Sequence, residues 1–140
     1  MKAELKKSNI LTVAFKSLAD IEKDLLSLVK NRTPKIQSKG TIYFDSVGSF
    51  RNFMTIQKLE ILALIAKAKP KSVYELSKML NRAIAPVQKD CQMLGDAGFI
   101  IFDKEEGGRG TLTPKLAFKY NCILVKLPDY PYELQFSAAA

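Results

Sequence analysis

Histidine is absent from this chain of 140 residues. The usual general base, proton shuttle and nitrogen ligand for metals are therefore missing, which argues against most enzyme classes. Cysteine occurs twice, at Cys91 and Cys122, among apolar neighbours in a predicted helix and a predicted strand. Two such residues supply no metal-ligand spacing and read as reduced, packed thiols. A chain of this size buries roughly two-thirds of its unfolded surface, so it needs no disulfide or metal to hold together. Long apolar runs are lacking too, and Lys2, Glu4, Lys6 and Lys7 are followed by a strand-like segment and not by a signal peptide's apolar stretch. These features predict no membrane segment and a cytoplasmic protein. The acidic pair Glu105-Glu106 sits beside glycines in an apparent turn, where solvated loop charges are expected. Gly107-Gly108-Arg109-Gly110 lacks the spacing and the lysine of a phosphate-binding loop and reads as a hairpin tip. No catalytic constellation and no cofactor motif emerges, so an enzyme is not expected.

What the chain has in excess is positive charge. The 22 Lys+Arg against 14 Asp+Glu leave a formal +8 at neutral pH, a balance that concentrates polyanions such as nucleic acid near the surface. Lys69, Lys71, Lys78, Arg82 and Lys89 fall within one short stretch, opposed locally by Glu75 and Asp90. The alternative reading of the same charges is a solvated face.

Along the chain, residues 9–15 (NILTVAF) alternate as a half-buried strand would. Ser17 can cap a helix, with Asp20 three residues later and Leu18, Ile21, Leu25 and Leu28 forming its apolar stripe. Asn31-Arg32-Thr33-Pro34 stops that helix, and residues 41–45 (TIYFD) read as a second strand. This strand-helix-strand unit, residues 1–45, is too small to stand alone and must pack on the rest of the chain or on a second copy, which makes it a candidate dimerisation element.

A second region, residues 46–127, opens with a short predicted helix at 47–54 and a longer one capped by Thr55. Ile56, Leu59, Ile61, Leu62, Leu64 and Ile65 cover much of the longer helix, as expected of a buried central element. After Lys69-Pro70-Lys71, Ser72 and Glu75 form an S-x-x-E capping box for a helix from Val73, with Val73, Leu76 and Leu80 facing inward. Asn81-Arg82-Ala83 is a turn of the length that joins the helices of a helix-turn-helix. A further helix is expected at about 86–97, with Pro86 near its start, Val87, Cys91 and Leu94 inward, Gln88, Lys89 and Gln92 outward, and Gly98 as a left-handed stop. The period then changes to strand at residues 99–102, a glycine-rich turn at about 103–111 and a return strand from Thr111. Residues 122–127 (CILVKL) are a buried-strand candidate able to pair with the amino-terminal strands, within one chain or across a dimer, and residues 128–140 form a tail. The predicted fold class is α+β, a winged helix-turn-helix with an N-terminal strand-helix-strand extension.

The phrases SVYELSKMLNR (72–82) and VQKDCQMLGDAGFI (87–100) carry a resemblance. They resemble the S-x-Y-E-L-A-x-x-L-x-R helix and the V-x-[KR]-D-x-x-x-L-x-x-x-G-[LF]-[IV] recognition helix of small MarR-like winged-helix proteins regarded as transcriptional regulators. The resemblance implies a homodimer that binds double-stranded DNA, with the helix at about 86–97 in the major groove and the wing at about 103–111 on the backbone or minor groove. Some such proteins are encoded beside toxin genes, so it also implies an antitoxin-like role with a toxin as protein partner. Carried over residue by residue, Lys89 matches the family's basic position and Arg82 the arginine of the turn. Where the family's helix starts with polar residues this chain has Ile84, Ala85 and Pro86, which offer few donors to base edges. The candidate DNA-binding residues are Lys71, Ser72 at a helix N-terminus, Arg82, Pro86, Gln88, Lys89, Gln92, and Arg109 at the wing tip. The competing reading is a protein-interaction module that docks through the apolar Ile84-Ala85-Pro86 patch.

Overall fold

The computed structural model describes residues 9–17, 19–20, 22–23, 25–26, 40–104 and 112–128. Strand β1 (Ile10–Phe15) is the middle of a three-stranded sheet, flanked by β2 (Thr41–Phe44) and β5 (Cys122–Val125), and both pairings are parallel. Parallel neighbours need a crossover between them, and Ala19, Asp20, Glu22, Lys23, Leu25 and Leu26, which lie between β1 and β2, are helical. Ser17 starts this stretch as its composition predicts, its hydroxyl accepting from the Asp20 amide at 3.2 Å and donating to the Asp20 carboxylate at 2.9 Å. The apolar stripe expected at Leu18, Ile21 and Leu28 lies outside the described residues.

Between β2 and β5 come four helices and a hairpin. They are α1 (Val47–Phe53), α2 (Ile56–Ala68), α3 (Val73–Leu80), α4 (Ile84–Ala97), β3 (Ile100–Lys104) and β4 (Leu112–Leu116). The chain is α+β, with a three-stranded parallel sheet and a separate antiparallel β3–β4 pair. Each of the first three helices begins on a hydroxyl that accepts an otherwise unpaired amide. Ser46 takes the Ser49 N–H, Thr55 the Lys58 N–H and Ser72 the Glu75 N–H. Helix α4 differs, because Ala83 occupies the capping position and offers no side-chain bond.

That helix begins at Ile84 and not near Pro86 as the sequence suggests. Proline therefore occupies the third helical position. The amide hydrogen it lacks would still have had no intrahelical carbonyl there, so the first turn closes over it without losing a bond. At the other end Gly98 adopts φ 98°, and its N–H reaches back to Leu94 and Gly95 while the Phe99 N–H bonds Leu94 O at 2.9 Å. This left-handed stop turns the chain from helix into strand at the expected place.

One apolar core joins the two parts of the sequence. Leu11 and Val13 of β1 lie in the same buried cluster as Ile61, Leu62 and Ile65 of α2, Leu76 of α3, and Val87, Cys91 and Leu94 of α4. Phenylalanines cross the seam. Phe44 on β2 meets Phe50 edge-on at 5.2 Å, and Phe15 on β1 meets the same ring edge-on at 6.2 Å. The strands of the extension thus pack on their own chain, and β5 joins their sheet, the within-chain pairing open to residues 122–127. Helix α2 departs from the predicted pattern. It buries Lys58, Ile61, Leu62 and Ile65, leaves Leu64 half-buried, and exposes Leu59 and Ile56, the latter by 74%. None of the described helices is long and apolar enough to cross a membrane.

Candidate nucleic-acid interface

Helix α4 divides into two faces. Val87, Cys91 and Leu94 are each 0% exposed, and a side chain buried to that extent contributes roughly 1.5–3 kcal/mol. Successive residues turn by about 100°, so the opposite face carries Ala85, Gln88, Lys89, Gln92 and Asp96, all exposed. The outward positions expected for Gln88, Lys89 and Gln92 are where these residues stand. Gln92 is engaged, its amide donating to the Asp96 carboxylate at 3.0 Å. Burial pushes the Cys91 thiol up to about 11, with the Asp90 charge adding to the rise and the Arg82 charge opposing it. The thiol therefore stays protonated at neutral pH and acts as packing.

Arg82, a candidate contact from the sequence, is paired within the fold. Its Nη2 donates to the Asp90 carboxylate at 3.1 Å, across the turn and nearly two helical turns into α4, and its Nη1 is buried without a hydrogen-bond partner. The other Asp90 oxygen lies 4.0 Å from the Lys58 ammonium, which rises from α2 and also sits 5.1 Å from the Phe53 ring centroid. Lys58 is only 4% exposed. From the sequence, Asp90 reads as an acidic opponent of the basic stretch, and Lys58 does not stand out. The signal was present, because Lys58 falls three and four residues before Ile61 and Leu62 on the buried stripe. The Arg82–Asp90 pairing, eight residues apart across a turn, has no local pattern to announce it.

Lys71 and Ser72 are fixed by the opening of α3. The Glu75 carboxylate reaches the Lys71 amide at 3.4 Å, one residue beyond the reach of an ordinary capping box. Thr113 on β4 donates its hydroxyl to Lys71 O at 2.7 Å, tethering this loop to the hairpin. The Lys71 ammonium is exposed, as are Lys69, Lys78 and Lys89. Lys69 ends α2 in the left-handed conformation, φ 48°, and Lys78 lies 4.7 Å from the Tyr74 ring centroid. On the hairpin Lys115 donates to Asp103 at 3.0 Å and holds that exposed carboxyl below its ordinary range, helped by the Lys104 amide. Pro86 and Ile84 are exposed beside α4's first turn, Ile84 by 45%. Arg109, with Glu105, Glu106 and the glycines around them, lies outside the described residues. Among the described residues no group of three or more His, Cys, Asp or Glu side chains is arranged to hold a metal ion.

Residues 53–123, half of the chain, match the HVO_A0114 family, and the chain belongs to that family. The matched stretch takes in α2, α3, α4 and both strands of the hairpin, so it covers every exposed lysine considered above. No curated protein and no solved structure matches the chain.

Proposed function

We propose that this chain is a winged helix-turn-helix protein of MarR-like type that binds double-stranded DNA sequence-specifically, as a non-enzymatic transcriptional regulator in the cytoplasm. In this reading α3 and α4 are the helix-turn-helix, α4 is the recognition helix in the major groove, and the β3–β4 hairpin is the wing. The observation that carries it is the two-faced α4, with Val87, Cys91 and Leu94 anchored beneath and Gln88, Lys89 and Gln92 presented together outward. Glutamine pairs with adenine through two hydrogen bonds, and lysine serves guanine or phosphate. Lys69, Lys71 and Lys78, exposed at and near the opening of α3, supply backbone neutralisation that fixes register without reading sequence. A homodimer through the amino-terminal unit would set two such helices on one duplex, about one helical turn apart. Selection of bound duplexes from a random pool tests this. The expected result is an enriched motif with two-fold symmetry, and recovery of a pool indistinguishable from the input overturns it.

A second reading rests on the exposed Ile84, Ala85 and Pro86, an apolar patch where a base-reading helix usually carries donors. There the same fold docks a protein partner, a toxin in an antitoxin-like pair. Co-purification of a stoichiometric partner, lost on Ile84→Lys with no change in DNA affinity, supports that reading.

A further inference from the structure

A buried ammonium is expensive unless it is paired. Lys58 is buried on α2, and the carboxylate that faces it belongs to α4. The same carboxylate takes the guanidinium of the inter-helix turn at 3.1 Å. Asp90 therefore touches the supporting helix, the turn and the recognition helix at one point. It sits on the border of α4's two faces, beside outward Lys89 and within about one helical turn of inward Val87, Cys91 and Leu94. Apolar packing alone leaves a helix free to roll by fractions of a residue, whereas an ion pair across that border resists rolling in both directions.

Resting on the DNA-binding reading above, we propose that Asp90 is a positioning residue that sets the rotation of the recognition helix by drawing Arg82 and buried Lys58 onto one carboxylate. Arg82 is then a strut and not a phosphate contact. The consequence runs against simple electrostatics. Asp90 is a negative charge on a surface that meets a polyanion, so its removal should tighten binding to any duplex. A rolled α4 would instead lose the alignment of Gln88 with base edges, while phosphate contacts from flexible lysines survive. Discrimination falls although general affinity does not.

The test compares wild type, Asp90→Asn, Arg82→Gln and the double variant. Each is titrated with the duplex enriched by selection and with a scrambled duplex at several salt concentrations, and amide exchange is followed along α4. Asp90→Asn is expected to lower the ratio of specific to scrambled affinity about tenfold, the worth of one good bidentate base contact, with scrambled affinity unchanged or tighter. Arg82→Gln gives the same fall, and the double variant adds nothing further because both remove one linkage. The salt slope of Arg82→Gln stays at the wild-type value, where loss of a phosphate contact would reduce it by about one. Amides in the first turns of α4 exchange about tenfold faster in Asp90→Asn. A wild-type affinity ratio in Asp90→Asn, or a slope shallower by about one in Arg82→Gln, overturns the proposal. If Asp90→Asn does not fold, Lys58→Met/Asp90→Asn, which also takes away the stranded buried cation, carries the same comparison. If wild type binds neither duplex, the DNA reading falls separately. Exchange in α4 then decides the strut, faster exchange supporting it and unchanged exchange overturning it.

Discussion

Gly95 lies inside α4, where alanine would ordinarily stabilise by about 1 kcal/mol. A Cβ built there would stand 2.9 Å from Cε2 of Phe102, with Cδ2 at 3.6 Å and Cζ at 3.8 Å. Carbon atoms settle at about 3.5–4.0 Å, so the ring must retreat by roughly 0.6 Å or the helix must lift from the hairpin. Phe102 has limited freedom to retreat, since it is half-buried on β3 and its register partner on β4 is the buried Pro114. Overpacking of this kind costs about 1–3 kcal/mol, which outweighs the helix term and leaves Gly95→Ala destabilising by about 1 kcal/mol. Gly48 in α1 is the internal control, because a Cβ there meets only Ser46 Oγ at 3.8 Å. Gly48→Ala is expected to stabilise by a few tenths to about 1 kcal/mol. The assay is thermal and urea unfolding of both variants and of Gly95→Ala/Phe102→Leu, with Gly95→Ala lowering Tm by about 3–6 °C. The double variant should recover stability relative to Phe102→Leu alone, since the smaller side chain frees the space. A Gly95→Ala protein as stabilised as Gly48→Ala would refute the reasoning, because it would mean that α4 does not press on the hairpin.

Lys89→Ala is expected to weaken duplex binding and to shallow the dependence of log affinity on log salt by about one, the signature of a single phosphate contact; an unchanged slope removes Lys89 from the interface. The thiol of Cys91 ionises at about 11 when folded against an ordinary 9.0. The unfolded chain thus loses its proton first as pH rises, and stability that is complete below pH 9 should fall by about 2 kcal/mol by pH 11 from this group alone. Tyr120, also raised by burial, adds to the same alkaline loss; urea unfolding of Cys91→Ala over that range should show a shallower fall, and an identical one would contradict the assignment. Tyr120→Phe removes the hydroxyl that donates to Phe99 O at 2.8 Å, but that carbonyl keeps the Ala117 amide. The loss should be about 0.5–1.5 kcal/mol in unfolding free energy, and a larger one would mean the carbonyl is not otherwise satisfied.

Local chemistry was legible and long-range chemistry was not. Thr55 and Ser72 announce their helices because a cap hydroxyl and the amide it serves are three residues apart, and Gly98 announces a stop because φ 98° suits only glycine well. The inward stripe of α4 was readable from spacing alone, and with it the outward Gln88, Lys89 and Gln92. The start of α4 was misplaced by two residues because proline suits any position in a helix's first turn, and Ala83 gives no capping signal. Ile56 and Leu59 read as core but are exposed, since a rich apolar pattern does not say which part of a helix its neighbours cover. Arg82 shows the same limit at the site. Its residue type suits phosphate, yet the fold turns it onto Asp90, and only the packing of α4 against the turn reveals that.

The central claim is that α4 and the lysines around it face a nucleic-acid duplex, and the salt dependence of duplex affinity measures this most directly. If exposed Lys69, Lys71, Lys78 and Lys89 each neutralise one phosphate, log affinity should fall against log salt with a slope of magnitude about 3.6 per bound chain. Titrating a labelled form of the selected duplex between about 50 and 200 mM salt gives that slope. A steep linear fall is the predicted result; no binding, or binding indifferent to salt, would contradict the account.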